Sequence, residues 1–163
     1  MIGVALVAIA IGAAVFVFGS GSLQSTSPNG ANNSQTAVAV PFTKLAEGSQ
    51  SKVVARVNYL ITTQEELAKL WKLIEEPSRV PKVDFNANVV AAVFAGEAPT
   101  AGYAIKVVRV EDADKRIVNV ELTRPDETCV LAQSVVAPYQ IVELPKTSLP
   151  FTHADTWATK TCS

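Results

Sequence analysis

Few side chains in this 163-residue sequence are of types that do chemistry, and their spacing limits what they can do. Cys129, His153 and Asp155 make one set, since a thiolate nucleophile needs a base and the base an orienting carboxylate. Composition stands against it. His153 is the only histidine, in a stretch without periodicity, and Cys162 is the only other cysteine. In a chain with a membrane-targeting segment an even pair of cysteines is expected to bridge, which removes the thiolate. No catalytic residue is assigned. No metal site is assigned either, because a lone histidine and scattered carboxylates show no ligand spacing. Glu111, Asp112 and Asp114 form an acidic turn that could hold a hard cation. No glycine-hinged ligand loop follows, so a solvated hairpin turn is expected. Gly96 and Gly102 join two strands and open no helix, which is not a phosphate cradle, and no cofactor is expected.

Those two glycines frame the one stretch with a physical mechanism for binding. Residues 88–112, NVVAAVFAGEAPTAGYAIKVVRVED, contain two apolar extended runs, 89–95 and 103–110, separated by GEAPTAG. Rich in Val, Ile, Phe and Tyr, the runs read as strands of a sheet interior and are expected to pair as a hairpin. Their connection exceeds the roughly two to five residues usual for hairpins. Gly96 and Gly102 can take positive φ, Pro99 fixes its own φ, and Ala98 is held extended by the proline after it. A loop this stiff loses little entropy on binding. Gly96, Pro99, Thr100, Gly102 and Tyr103 are therefore the candidate binding residues, with a protein as the expected partner.

The elements around this stretch follow from pattern. Residues 40–46 and 52–61 are expected as strands, with EGSQS as the turn between them. Thr63 and Glu66 make a capping box, after which Leu67, Leu70, Trp71 and Ile74 form a helical stripe. The helix should run from Gln64 to about Glu76, stop at Pro77 and lie on the sheet. Residues 116–123 alternate cleanly as a strand, and 129–137 with 139–144 read as a strand bent at Pro138 or as two short ones. From Pro145 onward no element is assigned, and Phe151 and Trp157 are expected to pack over an edge or face. A bridge between Cys129 and Cys162 would staple this tail to the sheet. The fold class is α+β, an antiparallel β-sheet with one covering α-helix.

Ahead of that domain, residues 1–18 are apolar throughout, and the first charged side chain in the chain is Lys44. The run is about long enough to cross a bilayer at roughly 1.5 Å per residue. It is longer than the apolar core of most cleaved signals and lacks a good cleavage site, so an uncleaved transmembrane anchor is expected. Residues 19–37 are Gly, Ser and Asn rich and read as a flexible linker, leaving 38–163 as the folded domain. With a formal net charge of −1 and a pI near 5.8 there is no basic footprint for nucleic acid. The expected location is a single-pass cell-membrane protein with its domain extracytoplasmic.

Two resemblances follow from the motifs. Gly96, Pro99, Thr100, Gly102 and Tyr103 match a G-x-x-P-T-x-G-Y pattern, and Pro138, Tyr139, Ile141, Val142, Pro145 and Lys146 match a second, P-Y-x-I-V-x-I-P-K. Together they resemble the C-terminal domain of the PrcB family, named after an accessory subunit of a bacterial surface protease complex. Ala101 stands where that family commonly has glycine. The resemblance runs from roughly the capped helix to Lys146 and implies a non-catalytic extracytoplasmic domain that assists or stabilises a protease. The loop from Ala98 to Tyr103 is also similar to the N-P-T-T-G-Y loop of chagasin-like inhibitors of cysteine proteases. That likeness implies an immunoglobulin-like sandwich, and the other inhibitor motifs are poorly matched.

Overall fold

The computed structural model describes residues 36–74 and 79–162. The apolar run 1–18, the linker up to residue 35 and Pro77 lie outside the described residues. The elements are β1 (Val38–Ala39), β2 (Thr43–Gly48), β3 (Val57–Ile61), α1 (Gln64–Trp71), β4 (Asn88–Phe94), β5 (Ala104–Asp112), β6 (Arg116–Pro125), β7 (Tyr139–Pro145) and β8 (Phe151–Lys160). They build two four-stranded sheets, β1-β5-β6-β8 and β2-β7-β4-β3. All neighbours are antiparallel except β6 and β8, which run parallel. The expected antiparallel pairing and covering helix are present, but in two sheets where one was expected.

Burial explains the division. Every residue of β4 after Asn88 is buried. Val89, Ala91 and Val93 face the space between the sheets, whereas Val90, Ala92 and Phe94 join the core under the helix. Both edges of β4 are taken, by β3 and β7. The expected hairpin of 89–95 with 103–110 therefore does not form. β5 pairs with β1 and β6 in the other sheet, and the chain between β4 and β5 crosses from sheet to sheet. β5 alternates buried Ile105 and Val107 with exposed Lys106 and Val108, as suits a sheet with one wet face.

The helix keeps its expected start and loses its expected end. Thr63 Oγ1 accepts the Glu66 N–H at 3.2 Å. The return arm of the box reaches one residue further back, where Glu66 Oε2 accepts the Thr62 N–H at 2.9 Å. That bond leads the causes holding the Glu66 carboxyl below its ordinary value. Leu67, Leu70, Trp71 and Ile74 are buried against β4 and β7, the stripe the spacing predicts. Past Trp71 the Lys72 and Leu73 N–H groups bond three residues back, at 3.2 and 2.9 Å, and Lys52 N–H takes the Leu73 carbonyl at 2.7 Å. This tightened turn ends the helix before Glu76.

Other boundaries also move. The strand expected at 40–46 shifts to β2, taking in Glu47 and Gly48 of the expected turn, that expected at 52–61 shrinks to β3, and residues 129–137 form no strand. Their main chain makes short local turns, Cys129 N–H to Asp126 O at 3.0 Å and Ser134 N–H to Ala132 O at 2.9 Å, and reaches other segments only at single points, such as Ala137 N–H to Ser49 O at 2.8 Å. The two-residue β1 and the long β8 are elements the sequence reading lacks, and β8 is in register with β6 from Arg116↔Phe151 to Pro125↔Lys160. Its signal is β-branched Thr152, Thr156 and Thr159 with two aromatics, without apolar alternation, because an edge strand has little to bury. Register places Phe151, His153, Asp155 and Trp157 on the same face as the buried Val118, Val120 and Leu122. Phe151 packs into that core as expected, whereas Trp157 remains 62% exposed.

One buried polar side chain ties the sheets together. A bulge in β5 between Val107 and Arg109 interrupts its ladder, and the Val107 N–H donates to Gln140 Oε1 of β7 at 2.7 Å. Gln140 Nε2 in turn donates to Glu47 Oε2 at 3.1 Å, so the amide leaves no buried group unmet. Helix docking sets the largest testable cost. Trp71→Ala should destabilise the protein by about 3–5 kcal/mol through the cavity left under α1, measured by denaturant unfolding. A loss below about 1 kcal/mol would mean α1 does not carry the outer core.

Candidate functional site

The loop between β4 and β5 is stiff, for a reason other than hairpin geometry. Ala95 N–H donates to Pro138 O at 2.9 Å, Glu97 N–H to Val54 O at 3.1 Å, and Ala101 N–H to Ala132 O at 3.3 Å. Ala98 and Val136 exchange both main-chain bonds, at 2.8 and 2.9 Å. The loop is thus sewn to its neighbours and does not project. Gly96 has φ 83° and Gly102 φ 95°, the positive values expected of them, and Ala101 is not among the positive-φ residues. A Cβ on Gly96 would come within 2.9 Å of the Val54 carbonyl oxygen, so the loop could not lie this close with a side chain there. Pro99 is exposed at the apex, while Thr100 and Tyr103 are half-buried.

Beside this loop the structure adds a residue that sequence reasoning missed. Trp157 of β8 lies opposite Leu122 of β6, and together with Gly96, Glu97 and Tyr103 these residues line a surface cleft of about 90 Å³. Exposed Val54 adjoins it through the Glu97 bond, and exposed Val135 precedes the Val136–Ala98 bridge. The available signal was a tryptophan among Thr and Ala in a strand with no apolar face, a side chain with nothing to bury it. Of the expected binding residues, Gly96 and Tyr103 line the cleft, and Pro99, Thr100 and Gly102 belong to the turn beside it.

Cys129 and Cys162 are bridged, with Cα atoms 5.6 Å apart. Around the bridge, Asp126 N–H donates to Lys160 O at 2.9 Å, so the end of β8 is fixed beside the turn after β6. His153 lies opposite Val118, whereas Cys129 lies beyond Pro125, the far end of β6. Cysteine and histidine are therefore apart along the strand. Asp155 serves a different purpose. Arg56 grips both its oxygens, Nε to Oδ2 at 2.9 Å and Nη2 to Oδ1 at 2.8 Å, and His153 Nδ1 lies 3.0 Å from Oδ1. Burial pushes the Asp155 carboxyl up, but the Arg56 and His153 hydrogen bonds outweigh it and hold it below its ordinary value. This clasp joins β8 to the chain just before β3. Near it, an apolar crevice of about 190 Å³ runs between the two edge strands past Leu60, Val93, Val118 and Phe151.

The acidic turn is likewise occupied by its own chain. Arg116, 3% exposed, donates from Nε and Nη2 to the two oxygens of Asp112 at 2.6 and 2.7 Å, from Nη1 to the Pro145 carbonyl, and lies over the Phe151 ring. Glu111 meets Arg109 and Asn119, each at 3.1 Å. Asp112, itself half-buried, is thus the partner of buried Arg116, where a solvated turn residue was expected. Among the described residues no group of three His, Cys, Asp or Glu side chains could hold a metal ion.

The described residues thus form a stapled two-sheet β-domain, helix-backed on one side and with a shallow aromatic cleft at the end of the other. Residues 89–145 match the family model described as PrcB C-terminal, and this part of the chain is a domain of that family. The match runs from the second residue of β4 to the last of β7, narrower than the span from the capped helix, and it contains the whole loop. No curated protein and no solved structure matches the chain.

Two measurements test the geometry. The Asp112 carboxyl titrates below its ordinary 3.8, chiefly through the Arg116 hydrogen bonds. The unfolded chain thus binds that proton more readily, so the contribution is complete above about pH 4 and is lost as pH falls through the folded value. Asp112→Asn should cost about 3 kcal/mol at pH 7 by leaving Arg116 buried and half-paired, and its stability should fall less steeply in acid than the parent's. Equal acid slopes for the two proteins would remove the pair from the account. For the bridge, reduction should lower stability by about 3–4 kcal/mol and speed amide exchange first at residues 157–160. Unchanged exchange there would show that β8 holds without its staple.

Proposed function

We propose that this protein is a membrane-anchored, extracytoplasmic accessory module that binds a protein partner and assists or stabilises an envelope protease complex without catalysing a reaction. The observation that carries the reading is the PrcB C-terminal match across the loop and both strands that hold it. Three features support it. The bridged cysteines suit an oxidising compartment. The sewn loop offers a preorganised surface, and the apolar run 1–18 supplies an anchor by length and composition.

A second reading, inhibition of papain-like proteases by the same loop, draws on the two-sheet architecture with that loop at one end. Its main chain is bonded on both sides of Pro99 and Thr100, which leaves a shallow apex to enter an enzyme cleft. The two readings separate in one experiment on the full-length chain purified from membranes after carbonate washing. Under the accessory reading a protease co-purifies, Thr100→Ala lowers its recovery by about tenfold at unchanged folding stability, and papain is unaffected. Inhibition of papain would install the second reading. Absence of any protease, or a mature N-terminus within residues 20–27, would defeat the first.

A further inference from the structure

We infer that the cleft between Trp157, Tyr103 and Glu97 is a receptor for a single cationic side chain, arginine or lysine, presented by the protein partner. The inference deepens the interaction reading above and rests on it only in taking the partner to be a protein. Its starting point is a set of groups left without internal employment. Among the described residues the Glu97 carboxylate, the Tyr103 hydroxyl and the Trp157 indole make no hydrogen bond or ion pair; the carboxylates of Asp114 and Glu127 are also unpaired but sit exposed away from this cleft, and those of Asp112, Glu111, Asp155, Glu47 and Glu121 are engaged. The three residues that carry these groups line one cleft. Electron-rich ring faces with a carboxylate beside them attract a cation and offer a neutral group little.

Size narrows the ligand further. About 90 Å³ is far below the roughly 300–1,000 Å³ of a site for a whole small molecule, and it exceeds the roughly 10–15 Å³ that admits a water. One guanidinium or ammonium head group matches that scale. Buried Leu122 forms part of the wall, which lowers the local dielectric and strengthens attraction to a charge. The exposed side chains of Val54 and Val135 on the adjoining segments give the partner residue's neighbours a dry surface, as at the rim of a binding hot spot.

The protein's own cations do not fill the cleft. Arg124, next on β6 after Thr123, turns its Nε to Thr159 Oγ1 at 3.4 Å. The cation–π pair found among the described residues, Arg116 over Phe151, lies at the opposite end of β8. Charge complementarity thus favours an incoming base over an acidic or neutral segment.

The test uses the full-length chain with its two tryptophans labelled at the indole nitrogen, titrated with acetyl-Ala-Arg-Ala-amide and with its neutral citrulline isostere. The Trp157 indole resonance should move with the arginine peptide at a Kd at least about tenfold below that for citrulline, while buried Trp71 stays in place and reports the fold. Glu97→Gln should weaken the arginine peptide by about fivefold or more and leave the Trp71 signal unchanged. Equal affinities for the two peptides, no movement of Trp157, or an arginine response untouched by Glu97→Gln would each overturn the receptor. A protease that co-purifies from a protein failing this titration leaves the accessory role intact and removes only the cationic contact. An arginine response without any co-purifying protease does the reverse.

Discussion

β4 has no free surface, and the rest of the domain is arranged by that constraint. A strand of Val, Ala and Phe with almost no polar group cannot lie at an edge or face water on either side without a cost of about 25 cal/mol for each Å² of apolar surface left wet. It therefore needs two strand neighbours and two covering layers. β3 and β7 supply the first, α1 and the β5–β6 hairpin the second. Two separate cores result, one on each side of a single sheet. The outer sheet then has to reach around its partner, and the β4–β5 crossing loop is where the chain does so.

Polar groups enter this apolar stack only where the ladder leaves something unmet. Gln140 answers an amide that the β5 bulge releases, and Arg116 caps the interior with its charge balanced by Asp112. Arg56 and Asp155 close the open side, where edge strands β3 and β8 face each other across an apolar crevice. Each is well bonded, as burial requires. At the loop end, by contrast, the Glu97 carboxylate and the Tyr103 and Trp157 rings have no internal partner.

Much of the local structure was legible in the sequence because it is written in short-range rules. The capping box at Thr63, the stripe from Leu67 to Ile74, the alternation of residues 116–123 and the positive φ of both loop glycines all follow from spacing or backbone chemistry. What escaped depends on partners far along the chain. Whether 89–95 and 103–110 pair is decided by β7, which arrives about thirty residues later and takes the edge of β4. β8 was illegible for a related reason. It is a strand because β6 offers it a ladder, and its own residues alternate nothing. Residues 129–137 erred in the opposite sense, since Val130 and Val135 look like a strand interior and are exposed. Of the site, the loop was visible and Trp157 was not, because only the parallel register carries it to the loop's side.

The bridge between Cys129 and Cys162 has a mechanical meaning. β8 is held to β6 by a parallel ladder ten residues long, and its last residue lies two positions before the bridge. A pull applied on the far side of Cys162 passes through sulfur into the segment after β6, without loading the hydrogen bonds of β8 in series. The edge strand is thereby shunted out of the path of force.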